Sequence, residues 1–414
     1  MARPQRDQVE WQPIALDELL PADHRARLVW SYVKLLNLEP LYAEIEVDGN
    51  TRGRTAIAPE VLVALWLLAT IESISSARKL ERCCERDIAY RWLCGGVSVN
   101  YHTLSDFRVQ HGKFLERLLV DTVAALVHKG LIPLETIAQD GMRVRANAGG
   151  SSFRRKNRLE ELHEQAQRHV EQMRRESDDE GERQAGDARR QAARERAARE
   201  KEARLADALE QVRQLAAEKE KRAKGEGDKA RCSTTDPDAR KMKMADGGFR
   251  PAYNCQLSTI AGGQIVIVPD VKTVGSDRGL ARPMLEQINR RHGRWPKRLL
   301  IDGGFNKNED TEWAADRGIK VYGPPSHSKH QRDPYEPRDN DGPGVAAWRA
   351  RMKSPRGKSI YKRRAQAECI NARFRNWGLQ QFTVRGLKKV QTVLRWFALT
   401  NNILAGHRLL RAAA

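Results

Sequence analysis

No run of apolar residues in this 414-residue chain exceeds the nine from Val61 to Ala69, where a membrane-spanning helix needs about 20. The opening residues, MARPQRDQVEWQP, lack the apolar centre of an export signal. A soluble, cytoplasmic protein is therefore expected. Cysteine is scarce: six residues, at 83, 84, 94, 232, 255 and 369, with no C-x-x-C pair among them. A chain this long needs no disulfide staples, and a zinc site built from Cys83, Cys84, Cys94 and His102 would have irregular spacing. Reduced thiols are the simpler expectation. Two further absences are local. Residues 154–230 contain no proline and no Phe, Trp or Tyr, and residues 344–414 contain a single acid, Glu368.

What is present is positive charge, at 74 Lys+Arg against 54 Asp+Glu, a formal +20. A surplus of this size points to a polyanionic partner, nucleic acid first. The segment 154–230 is nearly neutral, with 21 cations and 19 anions, whereas 344–414 carries 16 cations against its one acid. Tyr361, Phe374, Trp377, Phe382, Trp396 and Phe397 are interleaved with that charge. Such a mixture fits a nucleic-acid surface and also a folded basic domain.

Length and hydrophobic content (40%) suffice for two or three domains. Residues 14–130 read as helical. Pro59 opens PEVLVALWLLATI, apolar nearly all round and so a buried helix with proline in its first turn. Gly95-Gly96 breaks the chain, and Thr103 or Ser105 can cap a helix over about 106–128. Short helices with such a turn, and Arg108 on the capped one, suit a helix-turn-helix DNA reader as well as an ordinary helical domain. In 154–230, Leu159, Leu162, Ala166, Val170 and Met173 form one stripe and Leu205, Leu209, Val212 and Leu215 another. The glycines of SDDEGERQAGD lie between them. An antiparallel hairpin of two helices, or one long helix with a frayed middle, is implied.

Strand patterns flank this insert. Thr136–Ala146 alternates, with Ala138, Asp140, Met142, Val144 and Ala146 on one face. Strands are also expected over 252–260, 264–274 and 298–302 and at IKVYG. Helices are expected over 278–291 and about 309–317, with Pro- and Gly-rich sequence from there to about 358. The order implies an α/β protein, a mixed sheet with helices packed on it.

Three acids stand out. Asp140 shares a strand face with Met142 and Val144, a costly place for a carboxylate unless a cation, metal or donor meets it. Asp302 ends an apolar strand before Gly303-Gly304, where open α/β sheets place chemistry, although such a residue can simply open a turn. Glu368 lies on a stripe with Tyr361, Arg364 and Arg375, at spacings of three, four and seven that fall on one helical face. Alone it would read as an ion-pair partner. Together the three favour a site for hard divalent cations such as Mg²⁺. A pair of these can assist in-line displacement at phosphorus, while Arg364 and Arg375 position a nucleic-acid backbone.

On these residues the chain resembles bacterial insertion-sequence transposases of the DDE type. Residues 361–375 match the group's Y-x2-R-x3-E-x6-K signature, with Arg375 in place of lysine, a fork replacing a point donor. QDGMRVRANAG and LLIDGGF resemble the blocks around the two catalytic aspartates, STTDPDARKMKMADGGFRPAYNCQ (233–256) a stretch after the first strand, and TRGRTAIAPEVLVALWLL part of the N-terminal domain. The resemblance implies an RNase H-like catalytic domain over 133–414, interrupted by the 154–230 hairpin, after an all-α DNA-binding domain over 1–132. It implies Asp140, Asp302 and Glu368 as catalytic and metal-holding residues for two Mg²⁺ ions, with Mn²⁺ able to substitute. Tyr361, Arg364 and Arg375 would bind DNA, joined by Arg363, Arg373 and Arg108.

The expected activity is metal-dependent cleavage at element ends followed by strand transfer into target DNA. The expected partners are terminal inverted repeats and target DNA, met by a homodimer in a nucleoid-associated setting with no membrane involved. The rival readings are a non-catalytic repressor derived from a transposase, a structure-selective nuclease of the same fold, and an interaction protein built on the hairpin.

Overall fold

The computed structural model describes residues 13–45, 56–179, 185–325 and 333–413. They fall into two compact units, Met1–Phe114 and Leu115–Ala414. The first is helical, with α1 (Arg25–Val33), α2 (Glu39–Tyr42), α3 (Pro59–Ile71), α4 (Ala77–Arg86), α5 (Ile88–Cys94) and α6 (Tyr101–Gln110). As its composition demands, α3 is buried at every residue except Glu60, and its Trp66 indole donates to the Leu104 carbonyl (3.0 Å). Gly95 ends α5 in the left-handed region at φ 56°.

The long helix expected over 106–128 is instead two, α6 and α7 (Gly112–His128), broken at His111. The cap is Asn100, whose side-chain oxygen accepts from the Thr103 amide (3.0 Å). Most of α7 belongs to the second unit, since Val123 and Leu126 join the core of the sheet. The division between the two compact units falls at 114/115.

The second unit is built on β1 (Thr136–Arg145). A two-stranded ribbon, β2 (Phe153–Arg154) with β3 (Cys232–Ser233), closes the base of an insert made of α8 (Lys156–Asp179) and α9 (Ala185–Arg222). The two helices form the antiparallel hairpin. Leu159 and Ala166 pack against Leu205, Ala208, Leu209 and Val212, and His163 meets Glu202 across the seam (3.1 Å). Part of the expected glycine turn, 180–184, lies outside the described residues. The main sheet continues with β4 (Arg240–Lys243), β5 (Phe249–Ile260) and β6 (Val266–Lys272). Then come α10 (Ala281–His292), β7 (Arg298–Leu300), α11 (Asn308–Ala315) and β8 (Lys320–Tyr322). The basic tail is α12 (Pro343–Lys353), α13 (Pro355–Lys362), α14 (Ala365–Asn376) and α15 (Leu387–Ala413). Helices thus occupy 343–362, where proline and glycine suggested irregular chain. Pro343 and Pro355 sit in the first turns of α12 and α13, the helical positions that tolerate proline.

The sheet order is β4-β5-β1-β7-β8, with β6 on the same edge of β5 as β4. β5 runs antiparallel to β1, whereas β1, β7 and β8 are parallel. This mixed α/β arrangement, an RNase H-like sheet preceded in the chain by a helical N-terminus, is the class expected from the sequence. The core joins Ile137, Ala138, Leu299 and Leu300 of the strands to Met284 and Ile288 of α10 and Trp348 of α12.

The edge strand β6 is closed by side chains. On α15, Gln391 and Asn402 stand eleven residues apart, three turns, and so share a face. Asn402 exchanges two hydrogen bonds with the backbone of Val266 (2.8 and 2.7 Å). Gln391 accepts from the Val271 amide and donates to the Pro269 carbonyl (2.7 and 3.0 Å). The two amides take the role of a missing neighbour strand.

Gly141 on β1 is a close-approach glycine, because a Cβ there would stand 2.4 Å from Gln256 Nε2 and 2.8 Å from Asp277 Oδ1. Gly141→Ala is expected to destabilise the chain by about 1–3 kcal/mol, read as a lower midpoint in urea unfolding. An unchanged midpoint would show that the polar groups above β1 yield freely.

Candidate active site

β1 and β7 pair in parallel with one constant offset. Thr136 faces Arg298, Ile137 faces Leu299 and Ala138 faces Leu300, a difference of 162 positions in each case. Asp302 stands 162 positions after Asp140. Each aspartate therefore follows the last paired residue of its own strand by two positions. Asp140, still within β1, shares a face with Ala138. β7 itself ends at Leu300, and Asp302 opens a turn there, its Oδ1 accepting from the Gly304 amide (2.6 Å).

Asp140 is largely enclosed, its side chain 14% exposed. Its Oδ1 accepts from the Gly141 amide (2.9 Å) and its Oδ2 from Asn371 Nδ2 (2.8 Å). Burial pushes its pKa from 3.8 up to about 6. The guanidinium of Arg364 and the Gly141 N–H act against that rise, while the negative charges of Asp302 and Glu368 add to it. Asp302 and Glu368, far from it in the chain, are thus both within electrostatic reach of Asp140.

Glu368 lies in the first turn of α14, which packs on β1 through the Asn371–Asp140 bond one turn later. Its side chain is 55% exposed. Arg364 bridges the acids, bonding Glu368 and lying 3.7 Å from Asp140 Oδ1. The aromatic member of the stripe is there too, with the Arg364 guanidinium 5.8 Å from the centre of the Tyr361 ring. Burial raises the Tyr361 phenol above its usual pKa, against the pull of Arg364.

The stripe is not one helix, however. α13 ends at Lys362 and α14 begins at Ala365. Tyr361 and Arg364 meet Glu368 across this break rather than along a single face, and Arg375 continues the line at the exposed end of α14.

The other expected DNA-binding cations divide. Arg108 is buried at 8% exposure, donates to the Ser75 carbonyl (2.6 Å) and lies over Trp66. Burial lowers its pKa to about 10. It braces the helices of the first unit instead of facing a ligand, because Trp66 offers a flat partner for its plane. Arg373 also ties elements together, donating to Asn401 (2.5 Å) and Gln264 (2.6 Å). Arg363 is exposed and donates to the Ala261 carbonyl (2.9 Å).

Asn371 does not stand out in the sequence. Its amide is 7% exposed and holds Asp140, while its own Oδ1 is buried without a hydrogen-bond partner. Its position three residues after Glu368 is the one signal the sequence offers.

Among the described residues, no three His, Cys, Asp or Glu side chains stand close enough as placed to hold one ion. The donor set nevertheless fits a hard divalent cation. Its members are hard oxygen donors, Asp140 is buried and reluctant to ionise alone, and the Arg364 guanidinium already lies between it and Glu368.

Residues 14–110 match the family model described as a transposase domain (DUF772), and residues 227–403 match the one described as a transposase DDE domain. The second match includes Asp302, Arg364, Glu368 and Arg375. Asp140 lies between the two matched segments and is tied to the others by register and charge. No curated protein and no solved structure matches the chain.

A carboxyl group whose pKa rises on folding makes its charged form a burden on the fold. The unfolded chain releases the proton near 3.8 and the folded chain near 6. The burden is absent below that window and complete above it. In metal-free buffer near neutral pH, Asp140→Asn is expected to raise the melting temperature by about 2–4 °C. The gain shrinks as the pH falls through the window. A variant that melts lower than the parent near neutral pH would contradict the burial of this charge.

Proposed function

The chain belongs to the DDE transposases, and from that premise we propose that it cuts DNA at the ends of an insertion sequence and joins the freed strand to target DNA. The observation that supports this reading is that the charges of Asp302 and Glu368 both act on the buried Asp140, with Glu368 on a helix fastened to Asp140 through Asn371.

In this reading Asp140, Asp302 and Glu368 would hold two Mg²⁺ ions, with Mn²⁺ an acceptable substitute. When bound, such a pair activates the attacking oxygen and offsets charge on the leaving one. The rest falls to the chain itself. Asp140, with its pKa near 6, is mostly ionised at neutral pH and ready to receive a cation. Until then Arg364 offsets the mutual repulsion of the acids. With Glu368 committed elsewhere, its fork is released to grip a phosphate in two places. Tyr361 keeps the guanidinium in position through its ring face, and Arg375 meets the backbone farther along.

The helical unit that holds the first transposase match reads the terminal inverted repeats, and the domain beginning with β1 carries the chemistry. Joining two ends requires two protomers on the DNA.

Asp302→Ala is expected to abolish divalent-metal-dependent cutting of an end duplex while leaving duplex binding measurable in a gel-shift assay. Undiminished cutting would overturn the assignment. Asn371→Ala, which leaves the carboxylates in place but unfastened, is expected to slow cleavage by about 10–100-fold with unchanged end binding. Equal rates in single-turnover assays would remove Asn371 from the site.

A further inference from the structure

Asp140 and Glu368 share a cation that the chain itself supplies. One guanidinium nitrogen of Arg364 bonds Glu368 Oε1, and the other lies 3.7 Å from Asp140 Oδ1. The bond to Glu368 spans four residues and forms at the start of α14 itself, whereas the contact with Asp140 joins that helix to β1. The Arg364 side chain is only 16% exposed, so water screens its attraction to the enclosed Asp140 weakly. Tyr361 holds the guanidinium from the α13 side, its ring centre 5.8 Å away and a side-chain hydrogen bond joining the two.

The oxygens so engaged are among those a divalent cation would need. Hard cations bind carboxylate oxygens at close range, and a guanidinium already at those oxygens repels a second cation brought there. The acids have other donors too: Asp140 Oδ2 accepts from Asn371, and Asp302 Oδ1 from the Gly304 amide. Those donors are neutral, and a carboxylate oxygen has a second lone pair to offer, so they leave room for a cation. Among these contacts Arg364 alone brings a full positive charge.

Resting on the reading of the three acids as the cutting site, we propose that Arg364 is a built-in counter-ion that competes with the divalent metal, and that DNA relieves the competition by drawing the guanidinium onto a phosphate. An arginine fork matches a phosphate group as well as it matches a carboxylate. Metal arriving alone must part the ion pairs of Arg364 and leave the guanidinium to water. Metal arriving with DNA finds it paired again. The free chain therefore binds metal weakly and the DNA complex binds it well. The coupling is reciprocal, so metal tightens DNA by the same factor. Loading of the site is thereby confined to protein already on its substrate.

The test measures Mn²⁺ binding to the full chain by electron paramagnetic resonance, with and without an end duplex, the duplex alone serving as blank. The parent should bind Mn²⁺ about 10-fold more tightly with DNA than without, within the range of coupled sites. Without DNA, Arg364→Ala should bind about 10-fold more tightly than the parent and should gain little more from the duplex. Arg364→Gln loses the charge but keeps most of the side chain, and should behave as Arg364→Ala does. The charge-keeping Arg364→Lys should stay near the parent. Adding Asp302→Ala to Arg364→Ala should abolish the gain, which ties it to the acids.

Charge-free variants that bind Mn²⁺ no more tightly than the parent would overturn the proposal. So would a gain that survives Asp302→Ala, or one that is equally large in Arg364→Lys. Failure of the cutting assignment has a different signature, in which Asp302→Ala still cuts the end duplex whatever the Mn²⁺ affinities.

Discussion

The parallel pairing of β1 with β7 is the constraint from which the rest of the catalytic unit follows. Three residue pairs join the strand that carries Asp140 to the strand that ends two positions before Asp302, and a slip of one position would send the side chains of one strand to the other face of the sheet. The pairing is short but enclosed. Ile137, Ala138, Leu299 and Leu300 lie in one core with α10 and α12, so changing the register would expose several apolar side chains at once. Apolar burial thus enforces the geometry of a polar site.

That enclosure has an electrostatic cost, which falls on Asp140. Burial disfavours its charge, and two neighbouring acids deepen the effect. Arg364, Asn371 and the Gly141 amide oppose it. Arg364 is thus an internal cation standing between Asp140 and Glu368. Arg364 belongs to the break between α13 and α14. A residue at a break can shift without dragging a whole helix.

Much of this is legible in the residues. The alternation of 136–146 places Asp140 on the same face as Met142 and Val144, and the offset between the aspartates can be read from numbering alone once the two strands are paired. The hairpin is visible in its stripes, and the buried helix at Pro59 in its unbroken apolarity. The misses have physical causes. Helix periodicity is blind to a one-turn break, so it puts Tyr361 and Arg364 on the same helix as Glu368. Arg108 looks like a ligand-facing cation because sequence does not show that Trp66 lies beneath it. Asn371 carries no charge and so gives no electrostatic signal, though its buried amide fastens the helix of Glu368 to the strand of Asp140. The short strands β2, β3 and β4 are set by pairing with distant chain rather than by their own patterns.

The insert between β1 and β5 enters and leaves through the β2–β3 ribbon, whose ends are already clamped side by side. Its arms also have a core of their own. In polymer terms the anchor points are fixed before the excursion begins, so doubling the length of the excursion adds only about 0.6 kcal/mol of closure entropy. The chain thus has a docking port for modular cargo. Arms of another length, or a grafted foreign domain, could be spliced there while the aspartates keep their alignment.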